Sequence, residues 1–178
     1  MSFRQFILVS ALFLSGITSA QNDVFEASRS GNLSLLKELY QKDADVLNSL
    51  NENGFSPLIL ATYKHKVECV EFILSTTVDV NYQSQEGTAL HAACYTGNLK
   101  IAQLLIDNGA EVNIPGGRQT SALIYAVQSK KEALVKLLVQ NGADLTPKDQ
   151  AGRTAWDYAV ALELDPLLEL LDLPDTED

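Results

Sequence analysis

The sequence predicts an all-α solenoid of about five helix–turn–helix units with short β-turn tips, and three observations predict it. Alanines 27, 61, 93, 126 and 159 recur at steps of 34, 32, 33 and 33 residues. Two more apolar ladders keep those steps: Leu39, Ile73, Leu105, Leu138 and Leu171, and Leu36, Val70, Ala102, Val135 and Leu168. The second observation is a hydroxyl residue, Ser56, Thr88, Ser121 or Thr154, where the first helix of each fuller unit should begin. Such a side chain satisfies helix N–H groups that have no intrahelical partner. The third is Asn108-Gly109 and Asn141-Gly142, where glycine or asparagine can adopt the left-handed conformation that closes a second helix. Ladders at a period near 33 mark stacked units, each too small to bury its own apolar face alone.

In chain order, residues 1–20 read as a secretory signal rather than as part of the fold. Arg4 supplies a positive start, residues 6–14 are an apolar run, and Thr18 and Ala20 are the small residues expected before a cut after Ala20. The apolar run of about nine residues is short against the roughly twenty that span a bilayer. This segment resembles bacterial export signals and lacks the cysteine that a lipoprotein would need, so the mature chain is expected in the periplasm or outside the cell. The repeat domain then covers 21–173, with units near 22–48, 49–81, 82–113, 114–146 and 147–173, and an acidic tail follows at 174–178.

Within a unit, a polar turn such as Asn51-Glu-Asn-Gly-Phe-Ser-Pro-Leu58 leads into the first helix, with Pro57 at the first helical position, where its missing N–H is harmless. The second helix carries apolar residues at helical spacing, as in Ile101, Leu104, Leu105 and Ile106. The end units depart from this pattern. The first has Asp23-Val-Phe-Glu26 in place of the signature; the last has Trp156-Asp157, and its Asp165-Pro166 is expected to break the start of the second helix. Terminal layers face solvent on one side, which relaxes the apolar pattern there.

These motifs resemble the ankyrin-repeat family. Gly-Thr-Ala-Leu-His-Ala-Ala at 87–93 is similar to its Gly-x-Thr-Pro-Leu-His-x-Ala-Ala signature with one turn residue missing, and 108–113 and 141–146 resemble its passage into the next repeat. The resemblance covers about residues 22–173. It implies a structural role for His91, whose ring would hydrogen-bond between neighbouring turns. It also makes His65 an exposed corner residue standing where the family has glycine.

Catalytic and metal chemistry find little support. A zinc site needs three or four converging ligands, and two distant histidines do not supply them. No Gly-x-Ser-x-Gly, His-Glu-x-x-His or phosphate-binding glycine loop is present, Gly116-Gly117 is a lone turn pair, and Glu68 with Glu71 reads as a solvated helix face. No cofactor is expected and the chain is not expected to be an enzyme. Cys69 and Cys94 admit two readings, a pair of buried thiols that pack as small apolar groups or a bridge between adjacent units.

Charge narrows the partner. Lys and Arg number 13 against 23 Asp and Glu, a formal net charge of −10, and the longest basic run is Lys130-Lys131. That field repels polyanions, so nucleic acid is excluded and a protein with a basic surface fits better; acidity that serves only solubility is the other reading. In the family, turn tips and first helices line a concave face that contacts partners. By that resemblance the contact set is Glu52, Asn53, Phe55, Tyr63 and Lys64 in the second unit, and Ser84, Gln85, Tyr95 and Thr96 in the third. It continues with Gly117, Arg118, Thr120, Gln128 and Ser129 in the fourth, and Gln150 and Arg153 in the fifth. Phe55, Tyr63 and Tyr95 are its aromatic anchors, and Tyr63 and Tyr95 are expected side by side. The expected function is a non-enzymatic, monomeric binding module for another protein. The alternative is an inhibitor or immunity-type protein that neutralises an exported enzyme or toxin.

Overall fold

A computed structural model describes residues 22–171, and every regular element among them is helical. The expected signal segment and acidic tail lie outside the described residues. A helix over 22–30, α1, pairs in sequence with α2 (Leu33–Lys42). The pairs that follow are α3 (Pro57–Tyr63) with α4 (Val67–Leu74), and α5 (Ala89–Tyr95) with α6 (Leu99–Asp107). The last two are α7 (Ala122–Gln128) with α8 (Glu132–Gln140), and α9 (Ala155–Ala161) with α10 (Asp165–Leu171). Contacts divide the chain into two compact units, with the boundary between Ile73 and Leu74 at the end of α4. A repeat array has this property because each layer touches only its neighbours.

In the first unit, Ala27, Leu36, Leu39, Ala61, Val70 and Ile73 are all buried. The Tyr40 and Phe72 rings meet edge-on at 5.7 Å and tie α2 to α4, and the Lys37 ammonium lies 5.6 Å from the centre of the Phe72 ring. Ser56 caps α3 by accepting from the Ile59 N–H at 3.3 Å, and Pro57 opens the helix as the sequence predicts.

In the second unit α5 packs on α7 and α7 on α9, while α6 packs on α8 and α8 on α10, so first helices stack on first helices and second on second. Ala93, Ala126 and Ala159, and Leu105, Leu138 and Leu171, are buried in the corresponding places. Leu168 departs from its ladder. Val135 is fully buried but Leu168 is half-exposed, because among the described residues no further layer covers α10. Asp165-Pro166 departs from expectation too. It does not break the second helix but starts it, since a proline in the first turn has no helical acceptor to lose.

Successive layers are held by more than apolar contact. Asn81 Nδ2 donates to the Gly109 carbonyl at 3.1 Å and its Oδ1 accepts from the Glu111 N–H at 2.8 Å. One unit later Asn113 does the same to the Gly142 carbonyl and the Asp144 N–H, at 2.8 and 2.9 Å. The glycines that close these helices, Gly109 and Gly142, have φ of +89° and +79°, the left-handed cap expected. At the corner between paired helices a left-handed residue is also required. Gly31 and Gly97 fill that position in two pairs, whereas His65, Lys130 and Glu163 adopt it at φ near +55° despite their side chains.

Candidate partner-binding face

The tips that carry the candidate residues are built by short polar anchors. Asn51 Oδ1 accepts from the Asn53 and Phe55 N–H groups at 3.0 and 2.9 Å, which folds the turn of the second pair. Asp149 Oδ1 does the same for Ala151 and Arg153 in the fifth, at 2.9 and 3.1 Å. In the third, Ser84 Oγ accepts from the Glu86 N–H at 3.2 Å and donates to the Gly87 carbonyl at 2.8 Å, across the isolated bridge between Ser84 and Gly87. The fourth turn has Gly116-Gly117 instead of such an anchor. A Cβ on Gly117 would lie 2.6 Å from the Gln85 carbonyl oxygen and 2.9 Å from Glu86 Cα, so the third and fourth tips are in close backbone contact. Arg118 and Gln119 follow in the left-handed region, at φ +55° and +58°.

Two predicted contact residues are therefore corrected. Ser84 is buried with its hydroxyl spent on its own turn, and Thr120 is buried just before the Ser121 cap; neither presents a surface to a partner. In the first unit Glu52, Asn53, Tyr63 and Lys64 are exposed and Phe55 is half-buried; the Lys64 ammonium sits 5.5 Å from the centre of the Tyr63 ring. In the second unit Gln85, Tyr95, Arg118, Gln128, Gln150 and Arg153 are exposed. Thr96, Gly117 and Ser129 are half-buried, and the hydroxyls of Thr96 and Ser129 donate to the Ala92 and Ala126 carbonyls at the ends of α5 and α7.

Tyr125 and Tyr158 belong to the same face and were not in the predicted set. Tyr95, 57% exposed, meets Tyr125 edge-on at 5.7 Å, and Tyr125 meets the His91 ring edge-on at 6.2 Å. The Tyr158 hydroxyl donates to Asp149 Oδ2 at 2.6 Å, a bond that holds the carboxyl below its ordinary range and the phenol above its own. The Arg153 guanidinium lies 5.5 Å from the centre of the Tyr158 ring. The signal was available, because Tyr125 and Tyr158 are 33 residues apart and Ala92 stands at the same place one unit earlier. The repeat hid it by placing a small residue there.

His91 is the hinge of this face. It is 2% exposed, and the Thr88 N–H and hydroxyl both aim at its Nδ1, at 3.1 and 2.9 Å. The neutral ring that fits carries its proton on Nε2. Burial drives its pKa down to about 4, opposed only by the backbone of Ile114. The expected link from the ring to the neighbouring turn runs to the Ile114 backbone, but as a weak contact that leaves Nε2 without a well-formed hydrogen bond. Packing takes its place: a Cβ on Gly116 would lie 2.5 Å from Cδ2 of the ring, so the fourth turn rests directly on the imidazole. In the fifth pair, where the signature histidine is missing, Asp157 takes its role and accepts from the Thr154 N–H and hydroxyl at 2.8 and 2.9 Å.

Cys69 and Cys94 are both buried and unbridged, and burial raises both thiol pKa values, which makes them poor nucleophiles. Among the described residues no three His, Cys, Asp or Glu side chains are grouped to hold a metal ion, and no helix is long and apolar enough to cross a membrane.

Comparison with known proteins agrees with this architecture. A family model described as ankyrin repeats in three copies matches residues 24–116, and a single ankyrin-repeat model matches residues 119–150. The chain is similar to "Ankyrin repeat and SAM domain-containing protein 6" of Rattus norvegicus, 36% identical over 94 residues, which is 52% of this chain and 11% of that protein. It is 33% identical over 101 residues to "Ankyrin repeat and SOCS box protein 3" of Homo sapiens, covering 54% of this chain and 19% of that one. It is also 33% identical over 93 residues to "Serine/threonine-protein kinase TNNI3K" of Mus musculus, covering 49% and 11%. The chain thus spans between 11% and 19% of the length of these relatives.

Proposed function

The chain belongs to the ankyrin-repeat family, and from that premise we propose that it is an exported, non-enzymatic module that binds a partner protein through its turn tips and first helices. One observation carries this reading. Tyr95, Tyr125 and Tyr158 stand on successive first helices of the second unit, with Tyr95 largely exposed and edge-on to Tyr125, Arg153 over the Tyr158 ring, and Gln85, Arg118 and Gln128 exposed on the same unit. Rigid aromatics lose little conformational entropy on binding, and with an arginine-containing rim they are the usual anchors of protein interfaces. The excess of ten negative charges supports a partner with a basic surface, whose association would weaken as salt screens the attraction.

Export is proposed on residues 1–20, whose positive start, apolar run and small residues before a cut after Ala20 make a cleavable signal. It would deliver a monomeric module to the periplasm or the exterior. Capture of a partner from the exported fraction, followed by the same capture with the Tyr95→Ala/Tyr125→Ala variant, tests the binding face of the second unit. Binding should weaken at least about ten-fold with helicity unchanged. Equal binding by wild type and variant would remove these rings from the interface.

A further inference from the structure

The caps of the first helices use two kinds of acceptor. Ser56 and Ser121 accept from the Ile59 and Ile124 N–H groups through hydroxyls, which do not titrate in acid. In the third and fifth pairs the helix's own third residue reaches back to the cap, as His91 to Thr88 and Asp157 to Thr154, and both of those acceptors take up protons. We propose that the third tip is an acid-operated latch: protonation of His91 opens the Thr88 cap, parts the third turn from the fourth, and disassembles the contact surface between them. The proposal rests on the reading of this face as the partner site, and deepens it with a means of release.

The geometry sets protonation against the closed backbone cap. A protonated imidazole donates from both nitrogens, so Nδ1–H would face the Thr88 N–H, donor against donor, within 3.1 Å. The ring is buried between its own turn and Gly116, so it cannot reach water without moving the fourth turn. Influences on it from neighbouring elements are the Ile114 backbone and the edge of the Tyr125 ring, and neither is an anion that would stabilise the cation. Because Tyr125 also supports Tyr95, loss of the ring's position reaches the exposed anchor directly. Asp157 faces Lys148 and Arg153 besides Thr154, all of which keep its carboxylate charged, so the fifth tip yields only in stronger acid.

The sign follows from the direction of the shift. The folded pKa of about 4 lies below the ordinary histidine value of 6.5, so the closed tip has its full stability above about pH 6.5 and loses it as pH falls toward 4. Between pH 7 and pH 5 the opening equilibrium should grow about 20-fold.

Amide hydrogen exchange of the full chain at pH 7 and pH 5, corrected for the intrinsic pH dependence of exchange, tests this without any partner. The Thr88 amide should gain about 20-fold in corrected exchange. The Ile124 amide, capped by a hydroxyl, and the Thr154 amide, capped by a carboxylate, should not change. His91→Gln keeps an acceptor at this position and cannot titrate, so it should abolish the gain. Equal acceleration at Thr88, Ile124 and Thr154, or none at Thr88, overturns the latch; so does acceleration that persists in His91→Gln. If that variant fails to fold, the contrast between Thr88 and Ile124 in the wild type still decides. Failure of the latch leaves the binding face standing, since capture at pH 7 tests that separately.

Discussion

Truncations on the apolar ladders should cost according to coverage by neighbouring layers rather than side-chain size. Leu138 is completely buried between neighbouring layers, and replacing it with alanine removes transfer free energy and leaves a cavity that rigid helices on both sides cannot fill. Sites of that kind cost about 3–5 kcal/mol. Val135, equally buried, loses two carbons and should cost about 2 kcal/mol. Leu168 stands one repeat later on the same ladder and loses three carbons, yet it is half-exposed. Solvent fills the space it vacates, and only about half of its transfer free energy is lost, roughly 1 kcal/mol. Urea unfolding followed by helical circular dichroism reads these values. With a slope of about 2 kcal/mol per molar, Leu138→Ala should lower the midpoint by about 1.5–2.5 M, Val135→Ala by about 1 M and Leu168→Ala by about 0.5 M. A midpoint for Leu168→Ala at or below that of Val135→Ala would mean that coverage by a following layer does not set the energetics, and the layered account would fail.

Two further outcomes follow from the same structure. Asn113→Ala removes both hydrogen bonds to the Gly142–Asp144 loop and leaves one carbonyl and one N–H to water, so stability should fall by about 1–2 kcal/mol, read as a lower thermal midpoint. Lys130→Gly relieves a side chain held at φ +57° at a corner where Gly31 and Gly97 serve in other pairs; it should raise stability by up to about 1 kcal/mol in the same assay, and a loss would show that the left-handed position carries no strain.

Much of the candidate face was legible as positions and little of it as surfaces. Counting along the repeat locates a residue on a tip or a first helix, because the steps of 34, 32, 33 and 33 preserve the place within each layer. It does not say whether the side chain points out. Ser84 and Thr120 sit at tip positions and are buried, and the Ser84 hydroxyl bonds back to the chain its turn bends. Tyr125 and Tyr158 were missed for the converse reason: their ladder contains Ala92, so it did not stand out as aromatic. His91 was legible as a scaffold residue, but its bonding within its own cap, with the next turn seated on the ring, depends on the approach of Gly116.

The order of residues alone determined the helical class, the repeat and its period, the hydroxyl caps at Ser56, Thr88, Ser121 and Thr154, and the glycine ends at Gly109 and Gly142. Each of these is set by contacts within a few residues or by the demand that every layer bury the same side. Tertiary structure decided what depends on a neighbouring layer. It exposed Leu168 while burying Val135, joined Asn81 and Asn113 to the loops after the next second helices, seated the fourth turn on His91, and aligned Tyr95 with Tyr125. Coverage by a neighbour is a property of two segments about 33 residues apart, and no local pattern in either one encodes how closely the other will come.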